Sequence, residues 1–364
     1  MRLLPFLLLL CSQLPAAEIR HRFLAVDDGT LTLHHIDQND PTRNWKVPFG
    51  GYCMDLQLIG ADKVLLAVDD GYREFALADG KELKAFKGVL GGLTHSVERL
   101  PDGRTLLAMR EHPGLGHGII VLDAKNVVQA KLSFPGVSML RHLRSTTRGT
   151  LIVAAAGWVL ECGLDGKEIW RAKVPGNNFK AVELDDQRVL VSCGPGGRTL
   201  RTIDHTGKVL DTLDGKDLKE GSFVGFQRLA NGNLMIGNWL GHGSQHNGLV
   251  LCEYDATGTV VWKFGQAKSS FVEVIVLDGL DTTRLHAQQR EGRLAPPVPA
   301  AAPDAKGPCT APAVSIPAQG NEQMLAIDWL RQFAKAPSLE FTMPIHGMCR
   351  TPQQSQVYAI ATCP

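Results

Sequence analysis

The sequence has little that would point to a charged partner, a membrane or a locally encoded metal site. Its 38 basic and 37 acidic residues leave a net charge of +1, so no charge excess favours nucleic acid or an anionic surface. After the N-terminal segment, no run approaches the roughly 20 apolar residues of a membrane-spanning helix. No CxxC, HxH or HExxH motif occurs, which argues against zinc and redox sites of those types. We therefore predict no nucleic-acid partner and no transmembrane segment.

The first 17 residues resemble a secretory signal peptide. Arg2 precedes the apolar run Leu3–Leu10, which is too short to span a bilayer, and small residues lead to a cleavage point near Ala17. A lipid-modified Cys11 is disfavoured because the large Leu10 stands directly before it. We expect an exported, monomeric protein in the periplasm or outside the cell.

Cysteine usage does not require disulfide bonds. Removal of Cys11 with the signal segment leaves an odd number of the 8 cysteines, and several of those lie on strand-like segments. Export permits disulfides, but the spacing does not impose any pairing. If pairs form, Cys309, Cys349 and Cys363 near the end of the chain are the favoured partners.

What the sequence has in abundance is turn residues and a repeated strand pattern. Glycine (38) and proline (20) separate short apolar segments, while aromatic residues make up only 6%. A Leu/Val-rich strand recurs as FLAV (23–26), VLLAV (64–68), TLLAM (105–109), TLIVA (150–154), VLVSC (189–193) and NLMIG (233–237). A period of about 40 to 50 residues with four short strands per repeat is typical of β-propeller blades.

The two ends of the repeat region complement each other. The first recurring strand has no room before it for an inner strand, and residues 271–281 (FVEVIVLDGLD) form an inner strand with no blade after it. Pairing these segments would close the ring and remove exposed sheet edges. The sequence therefore predicts an all-β fold, a propeller of six four-stranded blades over residues 18–290, closed by its N- and C-terminal strands.

Beyond the repeats, the composition changes. Residues 291–320 are rich in Pro and Ala and predict a semi-extended linker. In the tail, residues 321–364, apolar positions three and four apart over Asn321–Lys335 predict one amphipathic helix. That helix could pack against the propeller or dock a partner, and the sequence leaves both open.

Two turns carry a family resemblance. The segments D-x-x-G-x-x-x-W at Asp255–Trp262 and D-G-x-x-x-W at Asp165–Trp170 resemble the repeat of quinoprotein-type (PQQ-like) propellers. Leu229–Met235 resembles a turn of arylsulfotransferase-like propellers, and the region around GNWLGHG resembles exported bacterial propellers without an established role. This resemblance, over about residues 22–290, implies the fold but no particular ligand.

Cofactor expectations follow from the same resemblance. Quinone-dependent dehydrogenases resemble this repeat but have eight blades and commonly adjacent cysteines, and this sequence has no Cys-Cys pair. We therefore predict no cofactor and no PQQ, and a divalent metal stays an open alternative.

Candidate binding residues cluster in loops on one face of the predicted propeller. Two second-to-third-strand loops contain Gly-His-Gly, and by the blade count they lie opposite each other across the channel. Trp239 could be a stacking platform or a plug for the channel mouth. The candidate ligand-binding residues are His95, Arg110, His112, His117, Arg141, Asn238, Trp239, His242 and His246.

Alternation along the inner strands predicts a second set of residues that line the channel. This set places Asp55, Ser96, Lys180 and Glu273 at one register, with Arg141 and Gly225 aligned to them. Such a ring would be polar, water-filled and nearly neutral in charge. It could also be no more than the wet wall of an ordinary propeller channel.

Three functions remain open at this stage. We favour a binding or interaction module whose loop face takes a small molecule, carbohydrate, peptide or protein, because no nucleophile–base pair or metal motif stands out in the sequence. The alternative is an enzyme of arylsulfotransferase-like transfer or lactone-type hydrolysis, with His95, His117 or His242 as nucleophile or base. A scaffold tethered by the tail is the third.

Overall fold

Strands make up almost all regular structure in the described part of the chain. The computed structural model describes residues 18–280 except 70, 89, 147, 185–186, 195–197, 217 and 219, together with short strands at 316–317, 345–350 and 356–361. Within those ranges one short 3-10 helix, Pro41–Arg43, interrupts the strands. The predicted signal segment and the predicted helix at 321–335 lie outside the described residues.

The strands follow one another in chain order. The first eleven are β1 (Arg22–Asp27), β2 (Thr32–Asp37), β3 (Trp45–Pro48), β4 (Cys53–Ile59), β5 (Lys63–Val68), β6 (Gly71–Ala76), β7 (Glu82–Phe86), β8 (Leu93–Arg99), β9 (Thr105–His112), β10 (Gly116–Leu122) and β11 (Val128–Ser133). The next six are β12 (Leu140–Ser145), β13 (Leu151–Cys162), β14 (Glu168–Glu183), β15 (Arg188–Gly194), β16 (Thr199–Asp204) and β17 (Val209–Asp214). The remainder are β18 (Ser222–Arg228), β19 (Leu234–Trp239), β20 (Asn247–Tyr254), β21 (Val260–Ala267), β22 (Phe271–Val276), β23 (Ile316–Pro317), β24 (Ile345–Arg350) and β25 (Gln356–Ala361).

Five antiparallel sheets form the propeller. Sheet 1 has the order β22-β1-β2-β3, sheet 2 is β4 to β7, sheet 3 is β8 to β11, sheet 4 is β12 to β17, and sheet 5 is β18 to β21. Around the axis, contacts run from β22 to β4, β8, β12, β14 and β18, and then back to β22. Strands β23 to β25 form a separate three-stranded sheet; β23 falls in the predicted linker and the other two in the predicted tail.

The prediction of six separate four-stranded blades was wrong. Sheets 1, 2, 3 and 5 have four strands each, but β12 to β17 form one six-stranded sheet where two blades were expected. The reason lies in β13 and β14, which change partners along their length. Residues 151–155 of β13 pair with β12 and residues 156–162 pair with β14. Neither Gly157 nor the Pro175-Gly176 pair ends a strand there, so the two expected blades share continuous strands.

The predicted ring closure was confirmed. Strand β22 pairs antiparallel with β1, with Phe23 opposite Val276 and Val26 opposite Glu273. His21, just before β1, adds a polar clamp: its ring nitrogens lie 3.0 Å from Asp278 Oδ2 and 2.8 Å from Glu253 Oε2. The closing strands are therefore held by a backbone ladder and by ion pairs.

Asp-Gly turns join the third and fourth strands as the repeat pattern predicted. At the β20–β21 turn, Asp255 Oδ1 accepts hydrogen bonds from the backbone N–H groups of Thr257 and Thr259, at 2.8 and 2.9 Å. Gly258 has a φ of +78°, a conformation that residues with a Cβ rarely adopt. Asp204 makes the same two backbone contacts in the β16–β17 turn. The Asp fixes the turn and the Gly permits it.

Four cysteines in the described residues are free and buried: Cys53, Cys162, Cys193 and Cys252. Burial raises the pKa of the Cys162 thiol to about 12 and that of Cys252 to about 11. They act as small apolar side chains in the clusters between sheets.

Candidate functional site

Every inner strand carries a β-bulge close to the end that faces the long loops. In β8, for example, Thr94 pairs with Met109 and Ser96 with Ala108, so His95 is the extra residue. Bulges re-aim side chains and are common beside functional sites. We call the residues at these six equivalent positions the mouth layer: Met54, His95, Arg141, Phe179, Val224 and Val272.

The next residue of each inner strand forms a second set, which we call the lower layer: Asp55, Ser96, His142, Lys180, Gly225 and Glu273. The predicted register was correct for five of these positions and wrong for Arg141. Arg141 is the bulged residue between Leu140 and His142. His142 therefore occupies the lower-layer position that was predicted for Arg141, and Arg141 lies in the mouth layer.

Ion pairs occupy the lower layer. Arg144 makes a two-pronged contact with Asp55, with Nη2–Oδ1 at 2.6 Å and Nη1–Oδ2 at 2.9 Å. Ser96 Oγ donates to the same carboxylate at 2.5 Å. Across the layer, Lys180 Nζ lies 3.0 Å from Glu273 Oε1. All four predicted lining side chains are buried, so at this depth side chains fill the channel and the expectation of a water-filled ring was wrong.

His142 is the histidine of the lower layer, and it is neutral. Its ring is fully buried, and burial together with the charges of Arg144 and Lys180 lowers its pKa far below the usual range. Gly225 faces Glu273 so closely that a Cβ there would lie 2.5 Å from the Oε1 atom. The absence of a side chain at Gly225 thus leaves the room in which the Lys180–Glu273 pair fits.

The mouth layer is apolar on one side. Met54, Phe179, Val224 and Val272 belong to one buried cluster that crosses the channel axis, with the half-buried rings of Tyr52 and Trp239 packed against it. Trp239 was predicted as a stacking platform or a plug, and its contacts are those of a side chain that helps to cover the channel. A ligand at this face would therefore rest on an apolar floor.

His95 is the buried acceptor of the mouth layer. Its Nδ1 lies 2.8 Å from the carbonyl oxygen of Leu140, so Nδ1 carries the proton and donates. Burial, and then the charge of Arg141, lower its pKa to about 3, which keeps the imidazole neutral. The other nitrogen, Nε2, is buried and has no hydrogen-bond partner in the described part of the chain.

Arg141 is the cation beside it. Its guanidinium lies 4.6 Å from the centre of the Phe179 ring and close to the Tyr52 side chain. Burial lowers its pKa, although an arginine stays charged at any physiological pH. Its Nε is buried without a partner among the described residues. Arg110, by contrast, is paired with its neighbour Glu111 at 2.7 Å.

Sheets 1 and 5 supply a second polar group. Asp28, from the β1–β2 turn, accepts a hydrogen bond from Trp239 Nε1 at 2.9 Å and lies 2.7 Å from His242 Nδ1. The His242 ring is 6.4 Å from Tyr52, which in turn is 5.5 Å from His95. Tyr52 therefore links the two polar groups, and all five propeller sheets contribute to the mouth.

Several predicted residues join this cluster and others do not. His95, Arg110, Arg141, Trp239 and His242 come together, and His117 acts electrostatically on His95. Two predicted residues instead hold their own loops: Asn238 donates to the carbonyls of Glu220 and Leu249, and His246 contacts the carbonyl of His242. His112 is buried, with its backbone against Gly92.

The sequence interpretation missed Asp28, Tyr52 and Phe179. Asp28 looked like an ordinary turn residue in the Asp-Asp-Gly segment. Tyr52 and Phe179 stand near the starts of β4 and of the inner part of β14, where comparison with His95 in β8 could have found them.

No group of three or more His, Cys, Asp or Glu side chains in the described ranges is arranged to hold a metal ion. In the same ranges, no helix has the length and apolar character to cross a membrane.

Comparison with known proteins supports the fold. No protein-family profile and no curated protein matches the chain. A protein of unknown function from Bacteroides caccae has a TM-score of 0.58 at 20% identity, covering 71% of this chain and 100% of that one. A chain of a nidogen/laminin complex has a TM-score of 0.52 at 11% identity, covering 70% and 97%. The WD40 β-propeller domain of Doa1 has a TM-score of 0.48 at 15% identity, covering 71% and 90%.

The two likenesses with TM-scores above 0.5 show a shared fold and extend no further, because the identities are low. Membership of the PQQ-like repeat family stays a prediction from the turn motifs.

Proposed function

We propose that this chain is an exported binding module whose channel mouth takes a small ligand or an exposed part of a larger partner. The observation that carries this is the group of side chains that meet at the mouth: the exposed His242 is held by Asp28, and the half-buried rings of Tyr52 and Trp239 lie beside it. Pockets and clefts with a few convergent polar groups among aromatic side chains are typical of ligand sites.

The placement of these groups on strands supports binding. His95, Arg141 and Phe179 lie on inner strands, and only His242 comes from a long loop. Groups held by rigid elements lose little freedom when a ligand binds, which favours affinity.

The test is a binding screen of glycans, peptides and small metabolites against the wild-type chain, Arg141→Gln and His242→Ala. His205→Ala is the matched control, because His205 stacks on Trp170 beside the β16–β17 turn, at the opposite face. We expect ligands of the wild type to lose about tenfold or more in affinity in both mouth variants and to be unaffected in the control. Ligands that bind all four proteins equally would refute the mouth as the binding site.

One observation favours the alternative of an enzyme. The Asp28 carboxylate lies 2.7 Å from His242 Nδ1, and the His242 side chain is 64% exposed. A carboxylate that orients an imidazole in this way leaves Nε2 free to act as a base or nucleophile. Aryl sulfates, esters and lactones are the substrates to assay. Turnover that falls at least a hundredfold in both His242→Ala and Asp28→Asn would establish catalysis, and turnover unchanged in both would exclude this dyad.

A further inference from the structure

We propose that the mouth binds the carboxylate of an aromatic carboxylic acid on the guanidinium of Arg110, at the position that the Glu111 carboxylate occupies in this structure. Glu111 is then a competitor within the protein, and the ligand displaces it. This inference rests on the proposed function and names the class of ligand for the same mouth.

Arg110 and Glu111 are open to solvent beside the mouth layer. Arg110 pairs with Leu93 at the start of β8, so it stands at the end of β9 that faces the long loops. Its side chain is 29% exposed, and that of Glu111 is 60% exposed. Arg110 Nε donates to Glu111 Oε1 at 2.7 Å. A ligand can therefore reach this ion pair from solvent without any separation of the sheets.

The charges around Arg110 favour an anion. Burial, and then the charge of Arg110, lower the pKa of Arg141. Burial, and then the charges of the two arginines, lower the pKa of His117, and Glu111 is the one described carboxylate that opposes them. Two arginines and one carboxylate leave an excess of one positive charge where sheets 3 and 4 meet at the mouth, which favours a monoanion.

Glu111 holds its position in a strained backbone conformation. Its φ is +57°, in the left-handed region that residues with a Cβ rarely adopt. Strained backbone is concentrated at functional sites. An exposed ion pair contributes little to stability, so the strain at Glu111 indicates a role in function. Other described non-glycine residues with a positive φ in loops of the mouth face are Leu31, Asp69, Met139 and Lys268.

The ion pair itself indicates that the anion is a carboxylate. Among the described residues, Arg110 donates from Nε alone, and its partner there is a carboxylate oxygen. A guanidinium has parallel N–H donors that match the two oxygens of a carboxylate. When Glu111 moves away, Nε and a terminal nitrogen can hold both oxygens of the incoming group.

Aromatic side chains near Arg110 favour a ring on the ligand. Burial raises the pKa of the half-buried Tyr52, and the charges of Arg141 and Arg110 oppose that rise, so Tyr52 lies within reach of both charges. The exposed His242 ring is 6.4 Å from Tyr52, and the half-buried Trp239 ring is 5.0 Å from His242. Aromatic side chains bind apolar rings, and a rigid ring loses little freedom on binding.

The test measures binding of phenylacetate by calorimetry and ligand-observed NMR, with phenylacetamide as the uncharged counterpart. We expect Arg110→Gln to weaken phenylacetate binding about tenfold or more, because the guanidinium is lost. We expect Glu111→Gln to strengthen it about three- to tenfold, because the competing carboxylate is gone. Phenylacetamide should bind more weakly, and Glu111→Gln should not change its affinity.

Glu168→Gln is the matched control. Glu168 is also a surface carboxylate that pairs with an arginine, Arg171, but it lies at the start of β14, beside a turn on the opposite face. At an ionic strength of about 0.1 M, charges more than about 10 Å apart are largely screened, so the affinity for phenylacetate should stay within about twofold of the wild type. Circular dichroism checks that the three variants fold.

Three results would overturn the inference. These are no binding of phenylacetate to the wild type, an affinity that Arg110→Gln leaves unchanged, or an affinity that Glu111→Gln leaves unchanged. If one of them occurs while other ligands from the screen still depend on Arg141 and His242, the aromatic acid on Arg110 is refuted and the binding function stands. If no ligand depends on those residues, both fail.

Discussion

The mouth layer and the lower layer are adjacent along the same six inner strands, yet they differ in how their charged groups are paired. In the lower layer, Asp55 is matched by Arg144 and Lys180 by Glu273, at 2.6 and 3.0 Å. In the mouth layer, Arg141 has no carboxylate partner among the described residues, whereas buried nitrogens without a partner occur in both layers, at His95 and Arg141 in one and at His142 in the other. The paired charges of the lower layer join neighbouring sheets, and the charge of Arg141 does not.

This difference assigns separate roles to residues that look alike in the sequence. Arg141 and Arg144 are three positions apart on β12, and both are mostly buried arginines. Arg144 connects sheet 4 to sheet 2 through Asp55, while Arg141 lies over the Phe179 ring and pairs with no carboxylate among the described residues. Experiments can test this comparison. It predicts that removing a paired charge of the lower layer lowers the free energy of unfolding far more than removing the charge of Arg141.

The largest effect should come from the lower layer. Asp55→Ala leaves the Arg144 charge buried without its carboxylate, and we expect the free energy of unfolding to fall by about 3–5 kcal/mol. The double variant Asp55→Leu with Arg144→Met removes both charges and should recover most of that loss. Urea denaturation of the three proteins measures both changes. A loss below about 1 kcal/mol in the single variant would show that the lower layer does not hold the sheets.

We expect an intermediate effect on stability at the ring closure. There, both ring nitrogens of His21 have a carboxylate partner, as the charged residues of the lower layer have their partners. Burial lowers the pKa of His21, but hydrogen bonds to Asp278 and Glu253 outweigh it and raise the pKa to about 9. Its protonated form therefore stabilises the fold fully below pH 6.5, and this contribution is lost as the pH rises through about 9. We expect a decrease of about 1–3 kcal/mol between these values.

Chemical denaturation at a series of pH values tests this contribution. His21→Gln is the matched variant, and its stability should change less across the same range. Parallel curves for the two proteins would contradict a charged clamp at the closure.

The smallest effect should come from the mouth. Arg141→Gln removes a charge that no carboxylate balances, and its main loss is the contact with the Phe179 ring. We expect the free energy of unfolding to change by about 1 kcal/mol or less. A loss as large as that of Asp55→Ala would mean that Arg141 is structural, and the contrast between the two layers would disappear.

Much of the fold could be predicted from the sequence, because each repeat has recognisable strand-forming segments and turn residues. The strand predicted at 64–68 is β5, at Lys63–Val68, and the segment predicted to close the ring is β22. The blade count failed because β13 and β14 run through Gly157 and Gly176, and a glycine alone does not show whether a strand ends.

The site was only partly accessible for a different reason. A bulge shifts the alternation of a strand by one residue and leaves no mark in composition, so Arg141 was placed in the layer that His142 occupies. The His242–Asp28 contact joins residues 214 positions apart, and no sequence pattern indicates it. The loop histidines were found because Gly-His-Gly is unusual, but their partners came from ordinary turns.

The four buried thiols can report local unfolding of the propeller without an added label site. Cys53 lies in sheet 2, Cys162 and Cys193 in sheet 4, and Cys252 in sheet 5. Since a buried thiol with a raised pKa resists alkylation, a maleimide would mark each of them only when its surroundings come apart. Peptide mapping after brief labelling could then show which sheet separates first, without any engineered probe.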